Sequence, residues 1–360
     1  MAYSITVQII FAEVRLMARE QRKALIERVE QIRGSRVICC LTSDRMNAQG
    51  IIAKDFIPVF YSHLRTFGAV KRLDVFLFTT GGDTLAAFGI SRLLREFADH
   101  VGALIPEKCQ SAGTLLVLGA NEIFMTPAGT LSPIDPSVVT PLNPKIEGPV
   151  PGQAQSFPVS VEDIAGFRDL TREEWALDNK GKAQAFAMLA QNVHPLILGQ
   201  AFRTRQQIQR LAQVLLSSHR KDAKNIKDIT EQLTRKLGSH DYLISRKEAS
   251  DMLGSQVTTK DPEHKLENAI WELYSDFHDE MQLGRIYDPA ALLQQTVSQG
   301  GQLPVNIINR FVVIETTAAT DVWEAEMRLS QPAVAPHVPV GVPVPEVQQV
   351  VVYNGWRHYE

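Results

Sequence analysis

Apolar residues along this chain fall into two rhythms: short unbroken runs, and longer stretches in which they recur at helical spacing. Val37–Leu41, Asp74–Phe78, Val101–Ile105 and Glu122–Met125 are runs of the first kind and predict buried strands. Ala53–Phe67, Thr84–Phe97 and Ser111–Leu118 are stretches of the second kind and predict helices between them; in Thr84–Phe97 the buried side is Leu85, Phe88, Leu93, Leu94 and Phe97. Strand–helix units repeated at this length imply a parallel sheet covered by helices. Upstream, Glu13–Arg33 sets Leu16, Ala24, Leu25, Ile26 and Val29 among dense charges, which predicts an exposed or partner-contacting helix. Thr140–Val159, rich in Pro, Gly and Ser, predicts a long substrate-facing loop. Ala183–His219 is helical in pattern throughout, with Gly199 and Pro195 as the interruptions, and predicts a kinked arm or an oligomerisation helix. Shorter helices are expected over Ile226–Leu237, Ser245–Leu253 and Pro262–Met281, and strands over Arg310–Glu315 and Val347–Tyr353. Ser330–Pro345 alternates Pro with Val and Ala, as in an extended tether.

Two turns carry the candidate chemistry. The run Leu73–Phe78 ends abruptly in Gly81-Gly82, and the run from Val101 leads to Ser111-Ala112-Gly113-Thr114, which opens an apolar helix. A serine at that junction lies in the positive end of the helix dipole, beside backbone N–H groups that the helix leaves unused. A Gly-Gly turn on a neighbouring strand brings further N–H groups close, because no Cβ blocks the approach. A nucleophile beside an oxyanion site is the combination this pattern suggests. Taken singly, Gly-Gly is an ordinary turn and Ser111 an ordinary N-cap; the pair, in this order, points to chemistry.

Composition narrows the class. With 360 residues, 44% hydrophobic and 21% charged, the chain has ordinary globular content, and its net charge of −3 offers no electrostatic footprint for nucleic acid. Cys39, Cys40 and Cys109 have neither metal-ligand nor disulfide-framework spacing and read as buried small hydrophobes of a reducing compartment. No uninterrupted apolar stretch reaches the roughly 18 residues of a membrane span, so the expectation is a cytoplasmic protein. Expected boundaries are an N-terminal strand and helix over 1–34, a main domain over 35–290 that includes the arm 183–219, and a C-terminal extension over 291–360 with the tether at 330–345.

Thr80-Gly-Gly-Asp-Thr84, Ser111-Ala-Gly-Thr-Leu115, Ser132-Pro-Ile-Asp-Pro136 and His240-Asp-Tyr-Leu-Ile-Ser-Arg-Lys-Glu-Ala249, in that order, resemble the serine dehydrogenase proteinase family. Its members are relatives of signal peptide peptidase and of the Clp proteolytic subunit. The resemblance covers roughly residues 30–260 and implies an α/β, Clp/crotonase-like ββα superhelix. It also implies serine peptidase chemistry on a protein or peptide substrate, no metal or organic cofactor, and a homo-oligomer. Residue by residue, it puts Ser111 on the nucleophile, Gly81 and Gly82 on the oxyanion turn with the N–H of Ala112 as second donor, and Asp241 on the acid of the Ser-His-Asp triad. Where the Clp histidine is expected, this chain has Asp135. Since triads are defined by geometry and not by order, the partners can be exchanged, with His240 as base and Asp135 as its orienting carboxylate. A Ser-Lys dyad is the alternative, Lys108, Lys145, Lys180 and Lys182 being nearest in sequence. Two other functions remain open on the same fold: an inactive peptide-binding scaffold, and a crotonase-type acyl-CoA enzyme.

Overall fold

The computed structural model describes residues 19–134, 137–138, 140–147, 154–156, 159–331 and 347–359. Asp135, the expected N-terminal strand and most of the proline-rich tether lie outside these residues.

Helix α1 (residues 19–33) leads into β1 (Arg36–Thr42), α2 (Phe56–Phe67), β2 (Val70–Phe78), α3 (Thr84–Phe97) and β3 (Ala98–Ile105). Then come β4 (Lys108–Cys109), α4 (Ala112–Val117), β5 (Glu122–Met125) and β6 (Thr130–Leu131). Four short strands follow: β7 (Ser137–Val138), β8 (Lys145–Glu147), β9 (Ala154–Ser156) and β10 (Val159–Ser160). The segment expected as a loop over Thr140–Val159 therefore contains one strand pair, β8 with β9, and is flanked by a second, β7 with β10. Helices α5 (Val161–Asp169), α6 (Asn179–Asn192), α7 (Pro195–Ser217) and α8 (Ala223–Glu231) precede β11 (Ile244–Ser245), α9 (Arg246–Leu253) and β12 (Val257–Thr258). The chain continues through α10 (Lys265–Met281), α11 (Pro289–Ser298), β13 (Val305–Glu315), β14 (Thr320–Ser330) and β15 (Gln348–Tyr359).

Eight strands form one sheet in the order β12-β5-β3-β2-β1-β13-β14-β15. The half from β12 to β1 is parallel, as the strand–helix repeats predict, and the half from β1 to β15 is antiparallel. Both faces of the parallel half are covered, which is why its strands are unbroken apolar runs. Ile38, Cys40, Leu73, Val75 and Leu77 face one core, with α2, α3 and α4; Val37, Cys39, Leu41, Phe76 and Phe78 face the other, with α1 and α10. The adjacent cysteines thus point to opposite faces. All three cysteines are free and buried, and burial raises their thiol pKa values.

Strand β14 has no counterpart among the expected elements. Its Glu324 is fully buried against Arg310 and Arg357, so a charged residue occupies a core position and hides the alternation. The arm expected as one helix is two. Pro195 stands at the first turn of α7, where its missing N–H costs nothing, and His194 caps the break by accepting the Leu196 N–H through Nδ1 at 3.2 Å.

Candidate active site

Ser111 joins β4 to α4 with φ 50° and ψ −114°, a left-handed conformation that a residue with a Cβ adopts only under tertiary constraint. Two contacts fix it. Its N–H donates to Ser132 Oγ at 2.7 Å, and Ser132, nearly fully buried, in turn donates its own N–H to Thr114 Oγ1 at 3.1 Å. The Thr114 hydroxyl closes the loop by donating to the Cys109 carbonyl at 2.9 Å. Ser111 thus stands at positive φ on a sharp strand-to-helix turn, at the start of α4.

The Gly81-Gly82 turn lies against this serine. A Cβ built on Gly81 would stand 2.8 Å from Ser111 Cβ and 3.2 Å from Ser111 Oγ, so the backbone reaches the hydroxyl only because position 81 lacks a side chain. Gly82 (φ 141°) is pressed against Ile52, whose carbonyl would be 2.3 Å from a Cβ at 82. Ile52 fixes the turn from both ends: its N–H donates to the Gly81 carbonyl and its carbonyl accepts the Asp83 N–H, each at 2.8 Å. Thr79 joins the two turns, its N–H donating to the Lys108 carbonyl at 2.8 Å and its carbonyl accepting the Gln110 N–H at 3.0 Å.

The N–H groups here are not equivalent. That of Gly81 donates to Thr79 Oγ1 at 3.0 Å and that of Ser111 to Ser132. Among the described residues, no hydrogen bond uses the N–H of Gly82 or of Ala112, the first residue of α4. Of the two glycines, Gly81 supplies the close approach and Gly82 the unengaged donor.

A three-stranded sheet, β11-β6-β4, assembles the other two motifs beside the serine. Lys108 and Cys109 of β4 pair in parallel with Thr130 and Leu131, which places Ser132 next to Ser111. Leu131 and Thr130 pair antiparallel with Ile244 and Ser245, which brings the segment that enters β11 to the strand that leads into Ser132. His240 and Asp241 sit in an exposed turn, where the Asp241 N–H donates to Ser239 Oγ at 3.2 Å. Next to this turn, Pro133, Thr234, Leu237, Gly238 and Ser239 line a cavity of about 350 Å³ closed on its far side by α5.

Lys108 is engaged by acidic partners. Its Nζ lies 2.5 Å from Asp44 Oδ2, 3.7 Å from Glu107 and over the Phe78 ring. Burial opposes its charge, but the hydrogen bond and charge of Asp44, with Glu107, raise its pKa above the usual lysine value, the reverse of what a lysine base needs. Lys180 and Lys182 are exposed on α6. Sequence reasoning missed Asp44, which stands far from Lys108 along the chain, and the roles of Ser132 and Thr79. Ser132 was marked in the sequence only by its motif, since nothing local tells an acceptor for a backbone N–H from an ordinary turn serine.

The chain is similar to several known proteins. Two uncharacterized proteins of Methanocaldococcus jannaschii are similar to the chain. MJ1495 is 29% identical over 124 residues, or 33% of this chain and 42% of its own length. MJ0137 is 27% identical over 260 residues, or 70% of this chain and 78% of its own. The match thus spans less than half of the first relative. Among solved structures, the 1510-N membrane-bound stomatin-specific protease in complex with a substrate peptide has a TM-score of 0.35 at 16% identity, over 59% of this chain and 73% of its own. A ClpP1 from Listeria monocytogenes has a TM-score of 0.34 at 14% identity, over 66% and 98%. The family model described as ClpP-like SDH-type serine proteinase matches residues 2–148, the segment that contains both glycines, Ser111 and Ser132. Residues 2–148 are therefore similar to the ClpP-like SDH-type serine proteinases, and the mixed α/β architecture is consistent with that likeness.

Proposed function

We propose that the chain is a serine peptidase that cleaves peptide bonds through an acyl-enzyme on Ser111. The observation that carries this reading is the contact of Gly81 with a strained Ser111, which leaves the N–H groups of Gly82 and Ala112 unengaged on the same turn pair. In the proposed reaction Ser111 Oγ attacks the substrate carbonyl carbon, and the oxygen that becomes negative is received by those two N–H groups. The base removes the hydroxyl proton and returns it to the leaving amine; water then releases the acyl group by the same route.

His240 is the proposed base, with Asp135 or the adjacent Asp241 orienting it. The pairing of β11 with β6 supports this choice, because it leads the His240 turn toward the strand next to Ser111. The ion pair of Lys108 with Asp44 argues against the dyad alternative for that lysine. The exposed position of His240 is the observation that favours a second reading, an inactive scaffold that binds peptides in the same groove. We further propose a homo-oligomer and a cytoplasmic location; among the described residues no helix is long and apolar enough to cross a membrane.

One experiment separates the two functions. A fluorophosphonate probe should label the wild-type chain, and Ser111→Ala should abolish the label. A folded wild type that takes no label and cleaves no peptide supports the scaffold instead.

A further inference from the structure

Helix α6 poses a physical problem. It has 14 residues and none of them is buried, although it carries Phe186, Met188 and Leu189. A helix of that length is marginal in water unless an apolar face is covered. Phe186 and, facing it on α7, Phe202 are 60% and 61% exposed. Between α5, α6 and α7 lies a groove of about 380 Å³, floored by Ile164, Phe167, Phe186, Leu189, Leu198 and Phe202.

Charge indicates what covers it. Residues 179–217 contain Lys180, Lys182, Arg203, Arg205 and Arg210 and no Asp or Glu, within a chain whose net charge is −3. Such a surface repels a second copy of itself, so pairing of arm with arm is disfavoured. At the groove, Arg205 and Arg168 are neutralised from within the chain by Glu162 and Asp169. Arg172 and Lys182, which also line it, have no ion-pair partner among the described residues. The surface is therefore an apolar trough with two cations left for carboxylates from outside. It is concave, the shape that receives a peptide and not a flat lipid surface.

The groove also adjoins the cavity next to the proposed site. Phe167 borders both this groove and the cavity beside Pro133, and Pro133 follows Ser132, the residue that holds the Ser111 N–H. We propose that the groove between α5, α6 and α7 docks polypeptide segments that combine acidic with large apolar side chains, and so selects such polypeptides as substrates for Ser111. The substrate half of this proposal rests on the peptidase reading; the docking half does not.

The test uses the full chain carrying Ser111→Ala, so that binding is read without cleavage. Fluorescence anisotropy compares a fluorescein-labelled dodecapeptide of Phe, Leu, Gly and Asp with its counterpart in which Lys replaces each Asp. The acidic peptide should bind at least about tenfold more tightly, with an affinity that falls as salt rises. Arg172→Glu with Lys182→Glu should weaken it about tenfold or more, and Phe186→Ala with Phe202→Ala similarly. Both phenylalanines are more than half exposed, so their loss leaves the fold intact, as a circular dichroism melt would verify. Equal binding of the two peptides, or binding unchanged by the charge reversal, overturns the proposal. So does co-sedimentation with phosphatidylglycerol vesicles in place of peptide binding, or an oligomer that dissociates when Phe186 and Phe202 are truncated. Docking as predicted in a chain whose wild type takes no fluorophosphonate label would keep the groove and reject the peptidase.

Discussion

At the scale of single residues, the site depends on an absent side chain. A methyl group at position 81 would enter Ser111 at 2.8 Å, at a backbone φ of 121° that disfavours any side chain. Gly81→Ala is expected to displace the serine or distort its turn, at a cost of about 1–3 kcal/mol in backbone strain alone. The rate of fluorophosphonate labelling should drop by at least about 100-fold, as when oxyanion stabilisation is lost. A labelling rate close to wild type would separate this turn from the chemistry. The base is tested by its titration. A histidine accepts a proton only when neutral, so with His240 as base the labelling rate should rise with pH as the imidazole loses its proton, and His240→Ala should remove nearly all of it. Retention of most activity in His240→Ala, with loss on substitution of one lysine, would transfer the role to a lysine.

At the scale of elements, ion pairs bind the ends of strands to helix α1. Arg33 donates to Asp74 on β2 at 2.9 Å and to Glu122 on β5 at 3.2 Å, and Arg72 on β2 also bonds Glu122. Burial works against ionised Glu122, but the hydrogen bonds and charges of Arg33 and Arg72 outweigh it and hold its pKa below the usual glutamate value. The unfolded chain therefore takes up this proton at a higher pH than the folded chain does. The stabilisation is complete above roughly pH 4.5 and is lost as pH falls through the depressed folded value. Glu122→Gln should lower the urea midpoint at neutral pH and flatten its decline at the acid end. An unchanged acid slope would show that Glu122 contributes nothing to it.

At the scale of the whole molecule, the proposed oligomer has its surface at the sheet edge and not at the arm. Strand β15 is the outer edge of the eight-stranded sheet, and Val350, Val351 and Val352 on it are each about half exposed. An open edge of this kind presents unpaired backbone groups to another strand. Sedimentation velocity at micromolar concentration should find an assembly, and Val351→Lys should dissociate it. A lone monomer at that concentration would end the proposal.

The parallel half of the sheet and the two turns were legible because local rules govern them. Unbroken apolar runs follow from burial on both faces, and Gly-Gly and Ser-Ala-Gly punctuate strand ends whatever the rest of the chain does. The break at Pro195 was likewise visible as a kink. The antiparallel half was less so. Glu324 and Asp321 are buried in β14 by partners on β13, β15 and α2, and a charge neutralised by a distant residue looks like surface in the sequence. The same holds at the site. The sequence determined that Ser111 begins a helix and that Gly81 ends a strand. Only the tertiary structure decided that Ser132 takes the Ser111 N–H, that Thr79 takes that of Gly81, and that Asp44 pairs with Lys108. Each of these is a contact between elements far apart in the chain, and such contacts are fixed by packing, which no local pattern records.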